Sequence, residues 1–140
     1  MTKKQKISYW QKSAKHDFEA AVALYEKAKY DWCLFMGHLV IEKMLKAFWV
    51  RDSKKDVPLI HNLLELVKGT KINLTEKQKE WLANVNSFNI RARYPDYKFD
   101  FYQLCTKEFA SERFDEIKEF YQWLNSQLIL KNASTNSSSD

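Results

Sequence analysis

The sequence predicts an all-α protein, a single antiparallel bundle whose helices run up and down. Only 2 glycines and 2 prolines occur in 140 residues, a scarcity typical of long helices and not of turn-rich β-sandwiches. Along most of the chain, apolar residues recur at three- and four-residue spacings, which place them on one face of a helix. The content of 45% hydrophobic and 29% charged residues favours one globular domain with its own core.

The first two predicted helices are the longest. The first is expected to begin at Ser8, because Ser8-Tyr-Trp-Gln11 has the pattern of a capping box, and to end near Lys29. The second runs from about Asp31, a favourable N-cap residue, to about Arg51. Its first half is apolar nearly all round, which predicts the most buried helix of the bundle.

The next two helices are predicted from the residues at their ends. Asn62 is a suitable cap for a short helix, and Gly69 is a stop signal at its other end. Thr75-Glu-Lys-Gln78 is a further capping-box pattern and predicts the start of the fourth helix. That helix is expected to end at Tyr94, because Pro95 disfavours helical geometry in the residue before it.

The last third of the chain is predicted to contain one loop, one helix and a tail. Residues 97–104 are interpreted as a loop, since an isolated strand would have no partner. The final helix is expected to begin near Thr106. Residues 1–131 are thus predicted to form a bundle of four main helices plus one short helix. Residues 132–140 are low in apolar side chains and are predicted to be a disordered polar tail.

The charge is moderately basic, with a formal net charge of +5. This excess permits attraction to phosphates, but by itself it does not indicate a nucleic-acid-binding protein. The surplus is concentrated at the front, since five lysines precede the first acidic residue, Asp17: Lys3, Lys4, Lys6, Lys12 and Lys15.

Cysteine usage and hydropathy favour a cytoplasmic protein without a membrane segment. Cys33 and Cys105 have neither zinc-site nor disulfide-framework spacing, so we expect both to be small buried residues. The longest apolar run, residues 32–41, is too short to span a bilayer. The lysine-rich N-terminus lacks the apolar stretch of a signal peptide.

The sequence shows no pattern that predicts a metal site or a cofactor. His16, His38 and His61 fall on separate predicted elements, and there is no Glu-x-x-His pair of the di-iron bundle type. Two glycines cannot form a glycine-rich phosphate loop. We therefore expect the protein to carry neither.

Four short motifs follow one another along the chain. They are Trp10 with Asp17, Ala21 and Leu24; His38-Leu-Val-Ile-Glu42-Lys-Met-Leu-Lys46-Ala47; His61 with Leu63 and Leu66; and Arg93-Tyr-Pro-Asp96. In this order they resemble the HEPN (higher eukaryotes and prokaryotes nucleotide-binding) domain family, over about residues 8–128. The resemblance implies a helical homodimer, often working beside a small nucleotidyltransferase of toxin–antitoxin type.

One motif of the family is missing. Many HEPN proteins are metal-independent ribonucleases with an Arg-x4–6-His motif, whereas here the corresponding positions after Arg91 and Arg93 are occupied by residues 96–100, none of them histidine. No imidazole in this segment can act as a general base on a ribose hydroxyl. Binding is therefore favoured over catalysis, and no residue is assigned as catalytic.

The candidate ligands of a nucleotide or phosphate are Arg91, Arg93, Tyr94, Lys46 and His38. A planar guanidinium can bind phosphate through two hydrogen bonds, and a tyrosine can stack on a base. An alternative for Arg93 is an ion pair with Glu42 or Asp17. His38, Glu42 and Lys46 share one helix face, where they form either a polar cleft or a buried network.

Two functions stay open at this point. The first is a nucleotide- or RNA-binding homodimer, paired with a small nucleotidyltransferase in a toxin–antitoxin type system. The second is a metal-independent RNA-cleaving toxin in which Arg93, His38 or His61 replaces the missing pair. A helical dimer used only for protein contacts is a third interpretation.

Overall fold

The computed structural model describes the backbone of residues 1–139 and the side chains of residues 1–128. Within this part of the chain there are helices and no strands, which confirms the all-α prediction. The six helices are α1 (Lys3–Glu26), α2 (Tyr30–Asp52), α3 (Leu63–Lys68), α4 (Glu76–Arg93), α5 (Pro95–Leu104) and α6 (Lys107–Ser139). The predicted tail, residues 132–140, lies outside the residues described in full, and its disorder stays a prediction.

Helix α1 begins at Lys3, so the predicted start at Ser8 is wrong. Thr2 is the N-cap: its hydroxyl accepts a hydrogen bond from the backbone N–H of Gln5, and its own N–H donates to the Gln5 side chain. The sequence therefore contains two capping-box patterns. The earlier one is used because the longer helix also buries Ile7 in the core.

Helix α2 is the central element of the bundle. Its N-cap is Lys29, and the predicted cap, Asp31, lies instead in the first turn, where a carboxylate interacts favourably with the positive end of the helix dipole. The helix packs against α1, α3, α4, α5 and α6. This is the position expected for the most buried helix.

Side-chain contacts between the long helices establish their directions. Tyr25 meets Tyr30 beside the connection between α1 and α2, whereas Trp10, near the other end of α1, lies under Lys46 of α2. These two helices are therefore antiparallel. The same reversal relates α2 to α4, through Phe35 with Arg93, and α1 to α6, through Tyr25 with Phe114 and Gln11 with Asn125. The up-and-down topology is as predicted.

The predicted loop at residues 97–104 is wrong, because this segment belongs to helix α5. Tyr94 is extended (φ −87°, ψ 132°) and is at once the C-cap of α4 and the N-cap of α5. Pro95 ends α4, yet it also starts α5, since its fixed φ and missing N–H suit the first position of a helix. Phe101 anchors α5 in the core, with its ring centroid 5.5 Å from that of Phe88.

The predicted ends of α3 and α4 and the predicted start of α6 are confirmed. The Asn62 side chain accepts hydrogen bonds from the N–H groups at the start of α3, Thr75 and Gln78 form the capping box of α4, and Thr106 accepts from Phe109 at the start of α6. Gly69 follows α3 with a negative φ of −86°. A side chain is excluded there, because an added Cβ would overlap the Trp49 ring.

Both cysteines are buried and free, as predicted. Burial raises the pKa of the Cys33 thiol and of the Cys105 thiol to about 12, so both are neutral, poorly nucleophilic core residues. Among the described residues, no helix is both long enough and apolar enough to cross a membrane.

Candidate functional site

The structure separates the five predicted site residues into two groups. Arg91, Arg93 and Tyr94 lie at the junction of α4 and α5, whereas His38 and Lys46 lie further along α2. Arg93 packs over Phe35, and the rise from residue 35 to residue 46 of a helix is about 16 Å. Within one chain, the five residues therefore do not form a single site.

The first group belongs to the α4–α5 corner, which we define as Arg91, Arg93, Tyr94 and the neighbouring Lys98. Arg93 is exposed, and its Nε donates a hydrogen bond to the carbonyl of Asn89 at 3.1 Å. Its guanidinium carbon lies 5.6 Å from the Phe35 ring centroid and 5.5 Å from that of Tyr94. The aromatic faces hold the guanidinium in place through cation–π attraction.

The alternative ion pair for Arg93 is not observed. Glu42 pairs with Lys46 and Asp17 pairs with Lys43, and no acid among the side chains of residues 1–128 lies within ion-pair distance of Arg93. Its charge is thus available to an anion from outside the chain.

Aromatic side chains surround the corner on its solvent side. Tyr94 is 52% exposed, and the Lys98 ammonium lies 5.0 Å from the Trp32 ring centroid. Further exposed rings follow on α5: Tyr97, Phe99 and Tyr102. Cations beside exposed aromatic rings are what single-stranded nucleic acids require, since phosphates meet the charges and bases stack on the rings.

Arg91 points away from Arg93, as its spacing of two residues predicts. It is half-buried, and its guanidinium carbon lies 5.0 Å from the Phe101 ring centroid. It therefore packs against the buried face of α5, while Arg93 and Tyr94 face the solvent.

The second group belongs to the Glu42 network, which we define as His38, Glu42, Lys46 and His61. Glu42 is 4% exposed, and its two carboxylate oxygens are engaged separately. One lies 3.0 Å from the Lys46 ammonium and the other 3.0 Å from Nδ1 of His61. Charged groups so poorly hydrated need partners, so these contacts form a buried structural network in which the Lys46 charge is already engaged.

His38 has no exposed surface within the chain. Its Nε2 lies 3.0 Å from the carbonyl of His61 and donates to it, whereas Nδ1, 3.9 Å from a Glu42 oxygen, has no hydrogen-bond partner. Burial lowers the pKa of His38, although Glu42 opposes this effect. A neutral imidazole with its proton on Nε2 satisfies this geometry, so His38 positions the backbone of His61.

His61 is a functional candidate that was not among the five predicted ligand-binding residues. Its side chain is 60% exposed, while Glu42, bonded to Nδ1, is 5% exposed. The Nδ1–H group donates to the carboxylate, which orients the ring and leaves Nε2 as a hydrogen-bond acceptor, an arrangement suited to a general base. The two residues lie 19 apart in the chain, so only the folded connection between α2 and α3 brings them together.

The Glu42 network brings two histidines close to one carboxylate. Lys46 already holds one oxygen of Glu42. Among the described residues, no group of three or more His, Cys, Asp or Glu side chains could hold a metal ion.

The sequence profile of the HEPN domain matches residues 7–127. The chain belongs to the HEPN family. The HEPN fold is also seen in the crystal structure of TT1696 from Thermus thermophilus, which superposes with a TM-score of 0.73 at 20% identity, covering 86% of this chain and 97% of that one. At this identity, the likeness shows a shared fold alone. No curated protein matches the chain.

The residues of the HEPN motifs lie in two different parts of the fold. The residues of the second and third motifs, His38, Glu42, Lys46 and His61, form one connected network. The last motif supplies Arg93 and Tyr94 at the α4–α5 corner. In this HEPN domain, the motif that begins at His38 therefore forms a buried polar network, whereas the motif that begins at Arg93 forms an exposed cationic surface.

Proposed function

We propose that this HEPN domain binds a nucleotide or RNA at the α4–α5 corner. The observation that carries the proposal is Arg93, an exposed guanidinium without an acidic partner among the described side chains, held between Phe35 and Tyr94. Its free N–H groups can bind a phosphate, and the exposed ring of Tyr94 can stack on a base. Arg91 positions α5, while Lys46 and His38 act from within the Glu42 network.

In this proposal the domain is a cytoplasmic homodimer that works beside a small nucleotidyltransferase in a toxin–antitoxin type system. The exposed rings of Phe99 and Tyr102 on α5 support contact with a second copy, since aromatic side chains are enriched in the cores of such interfaces. The free, buried cysteines suit a reducing compartment.

The direct test is calorimetric titration of the purified domain with ATP, GTP and a ten-nucleotide single-stranded RNA. The Arg93→Ala variant should weaken binding by about tenfold or more, because a hydrogen bond to a charged group contributes roughly 1.5–3 kcal/mol. Lys79→Ala is the matched control: Lys79 is an exposed cation on the same helix, about 21 Å from Arg93 along the axis. Absence of binding at millimolar ligand, or equal losses in both variants, would contradict the proposal.

The second candidate function is a metal-independent endoribonuclease with a diverged site. The observation that favours it is the pair of His61 and Glu42, in which a buried carboxylate orients an exposed imidazole. His61 would take the proton from a ribose 2′-hydroxyl, and Glu42 would stabilise the imidazolium that forms. The 2′-oxygen would bond to the adjacent phosphorus as the bond from phosphorus to the 5′-oxygen breaks, and the released 5′-oxygen would take a proton from water.

Expression in a bacterial host tests this second function. The wild-type chain should arrest growth and cleave RNA in vitro, whereas His61→Ala should do neither while keeping its fold, since the ring is largely exposed. Normal growth of strongly expressing cells, with intact RNA after incubation with the pure protein, would remove this candidate.

A further inference from the structure

A second cationic surface lies at the other end of α2, where the start of α1 meets the connection between α2 and α3. It is a cleft of about 360 Å³, which we call the lysine cleft. The residues that carry charge there are Lys3 and Lys6 of α1 with Lys54, Lys55 and Asp56 of the connection.

The charges of the lysine cleft are not neutralised within the described chain. Four lysines face one aspartate, a formal net charge of +3. Among the side chains of residues 1–128, no acid lies within ion-pair distance of any of these lysines. Basic residues that repel one another in a concave site raise the local potential for anions.

The lysines of α1 also act against the stability of their own helix. The first turn of α1 contains Lys3 and Lys4 and no acid, although the amino end of a helix favours negative charge. The carboxyl end of α2 lies nearby, but it supplies only about half a negative charge. A local arrangement that disfavours folding without an evident gain is typical of a functional site.

The floor of the lysine cleft is held in place by the surrounding fold. Trp49 donates its indole N–H to the carbonyl of Lys55 at 3.0 Å, and the hydroxyl of Ser53 accepts the N–H of Lys55 at 3.1 Å. The backbone that presents Lys54 and Lys55 is therefore fixed, while their ammonium groups keep the freedom to surround a ligand.

We propose that the lysine cleft is a binding site for clustered phosphate groups, supplied either by an RNA backbone or by the polyphosphate tail of a nucleotide. Lysine ammonium groups bind phosphates as point charges. The site is distinct from the α4–α5 corner, since Phe35 beside Arg93 and Val50 in the cleft are separated by about 22 Å along α2. Binding here does not depend on the function proposed for the corner.

Inorganic tripolyphosphate is the first probe, because it offers phosphates without base or sugar. Two variants remove one wall each: K3S/K6S and K54S/K55S. The matched control is K12S/K15S, which changes the net charge equally at exposed positions further along α1. Each cleft variant should weaken tripolyphosphate binding by about tenfold or more, whereas the control and Arg93→Ala should stay within about twofold. Equal losses in K12S/K15S, unchanged affinity in both cleft variants, or no binding at millimolar tripolyphosphate would overturn the proposal.

Titrations with ATP and with a ten-nucleotide single-stranded RNA then distinguish the two sources of phosphate. If RNA is the ligand, K3S/K6S should reduce the slope of log affinity against log salt by roughly 1.4, about 0.7 for each lost contact to a single strand. If the ligand is a nucleotide tail, ATP should compete with tripolyphosphate and the RNA slope should not change. In either case Arg93→Ala should leave the affinity of the lysine cleft unchanged. A wrong proposal for the α4–α5 corner and a wrong proposal for the lysine cleft therefore give different sets of affinities.

Lys3→Glu provides a readout that a merely structural role would not give. A carboxylate at the start of α1 suits the helix dipole, so the melting temperature should rise while tripolyphosphate binding weakens. A higher melting temperature with unchanged binding would show that Lys3 has no part in the site and would count against the proposal.

Discussion

Glu42 holds the polar part of the core together. Its carboxylate is the acid that neutralises Lys46, and it also orients His61. The two partners are not equivalent, because Lys46 is 8% exposed at its side chain whereas His61 is 60% exposed. Removing the anion therefore leaves a buried cation, but removing the cation leaves an anion that still has a partner.

We expect Glu42→Gln to lower the free energy of unfolding by about 3 kcal/mol, as for a buried pair that loses one member. Lys46→Met should cost about 1 kcal/mol, since the apolar chain keeps its packing against Trp10 and Glu42 keeps His61. Urea denaturation of both variants at pH 7 measures the difference. Equal losses would mean that the Lys46 ammonium is hydrated in spite of its burial.

His38 makes stability depend on pH. Burial lowers its pKa from the ordinary value of 6.5, so between the lowered value and 6.5 the unfolded chain binds more protons than the folded one. Stability from this group is present above about pH 6.5 and decreases as the pH falls through that window.

Comparison with His38→Gln isolates this effect, since glutamine can still donate to the carbonyl of His61 but does not titrate. The loss of unfolding free energy between pH 7 and pH 5 should be smaller in the variant than in the wild type. Glu42 and His61, the titratable groups facing His38, are the same in both proteins. Identical pH profiles would show that His38 binds its proton as readily in the folded chain as in the unfolded one, and would contradict this account.

Among the helices, α5 was the one that sequence reasoning did not find. Its neighbour α4 was predicted correctly from a capping box and a proline, because those signals act on adjacent residues. The same proline starts α5, but within residues 97–104 only Phe101 is fully buried. A helix with one core anchor shows too little apolar periodicity to be recognised.

Gly69, at the end of α3, lies against the Trp49 ring of α2. Gly69→Ala should destabilise the protein by about 2 kcal/mol or more, because the new methyl group would overlap the rigid Trp49 ring and disturb the bond from Trp49 to Lys55. Gly37→Ala is the matched control: its methyl group would meet the end of the flexible Ile117 side chain at 2.7 Å. Thermal denaturation should give a clearly lower melting temperature for Gly69→Ala than for Gly37→Ala, and the reverse order would contradict this account.

For the whole molecule, the sequence was sufficient for the fold class and the up-and-down order of the helices. These depend on hydrophobic periodicity and helix caps, which are local. It was not sufficient for the site. The site depends on how the helices pack, which no spacing along the chain encodes. Packing separates Arg93 from Lys46 and brings Glu42 into contact with His61. It also places Lys6 and Lys54 in one cleft.

The proposed homodimer can be tested at the same scale. The chain has a mass of 16.7 kDa, and sedimentation equilibrium of the wild type should give twice that value. Serine in place of Phe99 and Tyr102 should yield monomers, because it removes exposed aromatic area from α5. Leu59→Ser is the matched control, since Leu59 is an exposed apolar residue, 97% accessible, outside the helices. A wild type that sediments as a monomer would contradict the proposal.

Tyr94 is the only residue between α4 and α5, and this has a mechanical consequence. The direction of one helix relative to the other depends on two torsion angles of a single residue, while Pro95 fixes its own φ. A ligand that pulls on Arg93 and stacks on Tyr94 therefore acts on the pivot itself. A rotation of a few degrees at that pivot would displace the far end of α5, about 15 Å away, because the displacement grows with distance from the pivot.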